Sequence, residues 1–315
     1  MQKRKFSITT LLSKGKIVAI FILMCLILTI LKPSFIQPSN IINVFRQISI
    51  VAILAMGALL VIITGGIDLS PGSIVAVSGV VAAMFASNPG IPVVISIAAG
   101  LLTGAVCGLF NGVIIAKGKI PPFIVTLGMM SIGKGLAYVL SDGKPISGLS
   151  SSFEFIGRKS ILGIPVPILI MAVIVIFTWI LMNKRIFGKH VYAIGGNETA
   201  ARVSGIHVDR IKMLVYTFAG TMAGLGGTVL AARIATGHPN SGDGYEMDAI
   251  TAAVIGGASL SGGVGTIGGT IIGALIIGVL TNGLDLLGVS SYYQQIAKGL
   301  IIIAAVLMDK KTAKL

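Results

Sequence analysis

The feature that most constrains this chain is its series of unbroken apolar blocks, several longer than the roughly 18 residues that a helix needs to cross a hydrocarbon core. A transmembrane barrel needs strands that alternate apolar and polar with period two, and these blocks do not alternate. They must then be helices, which satisfy their backbone hydrogen bonds internally. A soluble domain is excluded by composition, since 55% of the residues are hydrophobic and only 11% charged. The expected fold is all-α: a polytopic membrane helix bundle forming one transmembrane domain over residues 1–315. Its 42 glycines are spread too evenly for a linker and read as close helix-packing positions.

About ten spans are expected: Ile17–Leu31, Gln47–Thr64, Gly72–Ser87, Ile91–Ala116, Pro122–Ser141, Leu162–Met182, Met213–Ala232, Ala249–Leu260, Val264–Leu284 and Gln294–Met308. The first and eighth are short. Placing both termini in the cytoplasm puts 16 basic residues inside and leaves 6 for outer loops and span ends, the bias expected of an inner-membrane protein. The first apolar block follows Lys3, Arg4 and Lys5, but Lys32-Pro33-Ser34-Phe35 behind it is no cleavage site, so it reads as an uncleaved span. The net charge of +14 sits between apolar blocks and on no soluble basic face, which argues against nucleic acid as a partner. The longest outer loop, 142–161, is rich in Ser and Gly, and the longest inner loop is 183–212.

No catalytic centre emerges. Gly263-Val264-Gly265-Thr266-Ile267-Gly268 fits a dinucleotide-binding pattern but lies between membrane spans, where close packing or a helix break is the better reading. Cys25 and Cys107 fall inside apolar blocks, and His190, His207 and His238 lack ligand spacing, so no metal or other cofactor is expected on this chain. No phosphate-binding loop of the G-x-x-x-x-G-K-[ST] type is present, so the chain is not a nucleotide-driven motor.

Polar residues inside the spans are the functional candidates. Asp68 follows Gly65-Gly66 and precedes Ser70-Pro71-Gly72, which predicts a broken helix over Gly65–Gly72; its carboxylate could cap the next helix or meet a passing hydroxylated solute. Lys134 should meet a carboxylate or snorkel, Lys298 should snorkel, Asp248 reads as a helix N-cap and Glu246 as an exposed rim residue. An internal echo links Gly65–Ser70 to Gly256–Ser261, each followed by an Asn-Gly pair at Asn111 and Asn282; duplicated halves and chance similarity both remain open. Within the inner loop, Asn197 is a good N-cap, Glu198, Thr199, Ala200 and Ala201 suit a first turn, and Gly205 suits a stop. This predicts a helix of about two turns, marginal alone and suited to docking in a partner's groove.

Four runs carry a resemblance: Ile63–Ser73 (ITGGIDLSPGS), Gly195–Ile206 (GGNETAARVSGI), Gly244–Ile250 (GYEMDAI) and Gly256–Gly263 (GGASLSGG). Together the chain resembles the permease subunits of ribose-type, carbohydrate-uptake ATP-binding-cassette importers over almost its whole length. Asn282-Gly283-Leu284 and Gly288–Gln294 are most similar to the ribose branch; Pro71 departs from the pattern, where a small or β-branched residue is expected. The resemblance implies two permease copies around one path, a separate cytoplasmic ATPase and an extracytoplasmic sugar-binding protein. It implies ATPase coupling through Asn197, Glu198, Ala200, Ala201, Arg202 and Gly205, and makes Asp68, Ser70, Asn111 and Asn282 candidates for the pathway or its gate. Ribose is the best single substrate expectation. An ion-coupled secondary sugar carrier is the alternative, and a membrane-embedded enzyme a third reading that lacks catalytic residues.

Overall fold

The computed structural model describes the backbone of residues 8–312, and side chains over 17–303 and at Leu307. The basic residues expected in the cytoplasm at Lys3, Arg4, Lys5 and Lys314 lie outside the described residues. Helices dominate: α1 (Ile8–Leu31), a 3-10 turn (Pro33–Ile36), α2 (Pro38–Ile63), α3 (Pro71–Ala86), α4 (Val93–Gly118) and α5 (Pro122–Ser141) come first. Then follow α6 (Ser151–Arg158), the short strands β1 (Ser160–Ile161) and β2 (Ile164–Pro165), α7 (Val166–Lys184), α8 (Ile186–Gly196) and α9 (Glu198–Val203). The chain closes with α10 (Val208–Ile234), α11 (Tyr245–Ile255), α12 (Ile267–Leu286) and α13 (Ser291–Thr312).

A helix occupies each expected span, and among the described residues 6 helices are long and apolar enough to cross a membrane by themselves. This is a helical, multi-pass membrane protein. The 11 residues of α11 reach only about 16 Å at 1.5 Å per residue, about half a hydrocarbon core, so α11 by itself is too short for the expected eighth span. Proline at the first or second position sets the φ of α2, α3, α5 and α7 and gives up an N–H that has no intrahelical partner there.

The core is α2, whose apolar window is 89% buried, against 17% for the peripheral α7. It is flanked by α10, whose small residues meet neighbours on several sides. On one side Gly100, Gly104, Gly108 and Gly112 recur every fourth residue along α4. A Cβ on Gly104 would strike the Gly220 carbonyl and Gly224 backbone, and one on Gly108 the backbone of Tyr216 and Gly220. On other sides of α10, Gly57 of α2 meets the Ala219 backbone, and Gly79 of α3 meets the Gly227 carbonyl. Lipid offers no hydrophobic drive between helices, so this backbone-to-backbone approach maximises dispersion contact instead.

Several expectations are corrected. The sixth span begins at Val166: the preceding Leu162-Gly163 form a tight hairpin turn at φ +51° and +81° between β1 and β2, with Leu162 97% exposed. The 142–161 loop contains α6, held by fully buried Phe153 and by Gly157 against the Ala232–Arg233 backbone. The 183–212 loop holds α8 ahead of the expected short helix. Lys298 does not snorkel but pairs with Asp248 at 2.9 Å, with side chains 25% and 14% exposed. Asp248 is thereby engaged in an ion pair, and Gly244 is the N-cap of α11. Glu246 is no rim residue: its half-buried carboxylate packs on Gly72.

Candidate functional site

The short helix α9 forms as expected. Asn197 accepts a hydrogen bond from the Ala200 N–H at 2.9 Å, and the helix stops at Gly205, φ +85°, with the Ile206 N–H reaching back to the Ala201 carbonyl. Asn197, Glu198, Ala200, Arg202 and Gly205 are all exposed, whereas Ala201 is buried and anchors the helix against the bundle. Lys212 donates to Glu198 at 2.6 Å and Arg202 to Asp209 at 2.7 Å, tying α9 to the first turns of α10. Between these pairs and the α4–α5 connection runs a groove lined by Lys119, Ile120 and Pro121.

What α9 rests on was not readable from local pattern. In the last turn of its neighbour α8, a Cβ at Gly195 would collide with the Ile63 carbonyl that terminates α2 and with the Gly263 N–H. Gly263 donates to that same Ile63 carbonyl at 2.8 Å, and the Tyr192 hydroxyl donates to the Gly265 carbonyl at 2.8 Å. Three interrupted segments therefore meet backbone to backbone: the end of α2, the 256–266 loop and the end of α8. Gly263 and Gly265 of the dinucleotide-like pattern belong to this junction, whereas Gly268 lies in α12.

The break after α2 is present and ordered. Gly65 at φ +78° ends the helix, with the Gly66 N–H bonded to the Val61 carbonyl at 3.0 Å. Three residues later, Asp68 accepts from both the N–H and the hydroxyl of Ser70, at 2.9 and 2.6 Å. It thus holds the residue before α3 and does not reach the first-turn N–H groups. Asn111 of α4 donates to the Ser70 hydroxyl at 3.0 Å. Three of the four pathway candidates, Asp68, Ser70 and Asn111, are one hydrogen-bonded chain, enclosed at 3%, 0% and 0% exposure. The Tyr216 hydroxyl lies buried beside Gly66.

Asn282 lies elsewhere, in a reciprocal amide pair with Asn40, both bonds 2.9 Å. The two Asn-Gly pairs of the internal echo thus have unrelated environments. The echoed glycines do build the same helix end, but one residue out of step: Gly65 corresponds in φ to Gly257 at +90°, whose follower Ala258 bonds back to Ala253. Lys134 finds a carboxylate, though not from a span: it meets Asp243, on the α10–α11 connection, at 3.1 Å. One turn along, the Tyr138 hydroxyl donates to Asn240 at 2.6 Å.

A family profile described as the permease component of branched-chain amino acid transport systems matches residues 40–306. The chain belongs to this permease family. Among curated relatives it is 48% identical to the ribose import permease protein of Bacillus subtilis, covering 94% of this chain and 92% of the relative. It is 44% identical to the ribose import permease protein of Escherichia coli, covering 98% and 97%. It is 39% identical to an L-arabinose ABC transporter permease protein of Azospirillum brasilense, covering 95% and 88%. No solved structure matches the chain. As a permease the chain is a transporter component and not an enzyme.

Proposed function

We propose that the chain is the permease subunit of an ATP-binding-cassette importer that moves ribose, or a sugar close to it, inward across the cell membrane. The observation that carries the coupling part is the exposed helix α9, capped at Asn197, stopped at Gly205 and held by two ion pairs. The substrate part draws on the near-full-length similarity to ribose import permeases. The ATPase and the extracytoplasmic sugar-binding protein are separate chains, and a second permease copy completes the path. Both termini lie in the cytoplasm and the chain crosses about ten times, with the 183–212 segment as the coupling loop.

In this reading Asn197, Glu198, Arg202 and Gly205 face the ATPase, Ala200 fills its groove and Ala201 roots the helix. Movement of α9 passes through α8 to the end of α2 and the 256–266 loop, because Gly195 leaves no compressible side chain between them. Asp68, Ser70 and Asn111 hold the α2–α3 break in one geometry at the gate, and Asn282 with Asn40 fixes α12 to the start of α2. An ion-coupled carrier is less well supported, since Asp68 is already engaged by Ser70 in an enclosed site and the curated relatives are import permeases.

The test is uptake in vesicles reconstituted with the ATPase and the loaded binding protein. Arg202→Glu and Gly205→Trp should leave ATP hydrolysis running while sugar uptake falls at least tenfold, with the bundle intact by size-exclusion chromatography. Normal uptake by both variants would remove the coupling assignment. Full uptake without the ATPase would remove the importer reading.

A further inference from the structure

The ion pair between Lys134 and Asp243 stands where a charge pair is costly. Lys134 is about 18 Å from the start of α5 and about 10 Å from its end, at 1.5 Å per residue, inside a hydrocarbon core about 30 Å thick. Asp243 is equally deep. After Gly237, which packs on Val80 and Ala83 of α3, the chain doubles back along α3 until Gly242 touches Gly72. Gly133, next to Lys134, packs on Ser73 at the same level. Yet the two side chains are 46% and 60% exposed. Charged residues at this depth face a bundle interior or a water-filled cavity, not lipid.

The rest of α5 divides the same way. At 100° per residue, Lys134, Tyr138, Ser131, Gly135 and Gly128 share an arc of about 120°, which the exposed Ile124 and Leu127 continue as an apolar patch toward the start of the helix. All five are exposed, and a Cβ at Gly128 or Gly135 would meet nothing within 4 Å. The adjoining arc carries Ile132, Leu136 and Val139, exposed and wholly apolar, as a lipid-facing surface should be. From Gly128 to Tyr138 the helix thus presents two open faces of opposite chemistry, and the polar one continues onto Asn240 and Asp243.

We infer that this polar arc of α5, together with residues 240–243, is a wall of the water-filled sugar path, with Lys134 and Asp243 as the station that meets the sugar's hydroxyl groups. An ammonium and a carboxylate side by side offer a donor and an acceptor to adjacent hydroxyls, and glycines on either side leave room for a pyranose or furanose ring. The inference rests on the permease reading above.

The test uses the full transporter with its ATPase and binding protein in vesicles, in a Cys25→Ala, Cys107→Ala background that retains ribose uptake. Ser131→Cys, Gly135→Cys and Val139→Cys are treated with a membrane-impermeant, positively charged methanethiosulfonate. Ser131→Cys and Gly135→Cys should react at least tenfold faster than Val139→Cys, and their modification should abolish uptake. Lys134→Met should cut uptake about tenfold while the complex stays assembled and ATP hydrolysis continues. If Ser131→Cys and Gly135→Cys react no faster than Val139→Cys, or uptake survives their modification, the arc is covered by lipid or protein and the inference fails. Failure of the unmodified transporter to take up any pentose would instead overturn the permease reading.

Discussion

Two polar constellations occupy the same bundle at similar depth and are built in opposite ways. Asp68, Ser70 and Asn111 are sealed, each hydrogen-bonded to the next, and none is more than 3% exposed. Lys134 and Asp243 are open, tied to each other in side chain and roughly half exposed. The sealed group directs its hydrogen bonds onto Ser70, the residue before α3, which suits it to fixing an irregular backbone. The open pair keeps capacity for something that arrives. Burial therefore separates shaping residues from contacting residues here, although both sets are polar residues within apolar surroundings.

The sharpest way to break this contrast is to perturb what seals the first group. Gly104→Val and Gly220→Val place branched side chains where α4 and α10 meet backbone to backbone, and each should cost about 3 kcal/mol or more by overpacking. Loss of the monodisperse peak in detergent and a lower melting temperature would show it. Asp68→Ala should come next, at about 1–3 kcal/mol, because the buried Ser70 N–H and hydroxyl lose their acceptor. Asp68→Asn keeps an acceptor and should recover most of that loss in the same thermal assay. If Asp68→Ala is as stable as the parent, the sealed group is not structural. Lys134→Met should change stability by only about 0–1 kcal/mol, as half-exposed ion pairs do, despite its large expected effect on uptake. Smallest of all should be Leu162→Asn, at a few tenths of a kcal/mol, in either direction, since Leu162 is exposed in a positive-φ turn that asparagine tolerates.

Much of the fold was legible because it is local. Apolar block length located the helices, and Asn197 and Gly205 bounded α9, since capping depends on residues within a turn of one another. The break at Gly65 was legible for the same reason. Partners were not. Nothing near Lys134 in sequence points to Asp243, 109 residues away, nor near Asn282 to Asn40, 242 residues away. The echo between Asn111 and Asn282 misled because similar local strings met different neighbours. Gly195 gave no local signal of its role: a glycine before an N-cap is unremarkable until the end of α2 and the 256–266 loop are seen against it.

The contact of α4 with α10 has a mechanical consequence. Where helices interlock through long side chains, rotamer changes let one slide past the other by small steps. Where Gly104 and Gly108 face Gly220 and Gly224 there is no side chain to rearrange, and each backbone is already at the other's surface. The two helices should thus travel as one plank, and any opening of the bundle must be taken up at its seams: the turn after α2, the 256–266 loop and the lightly held α5.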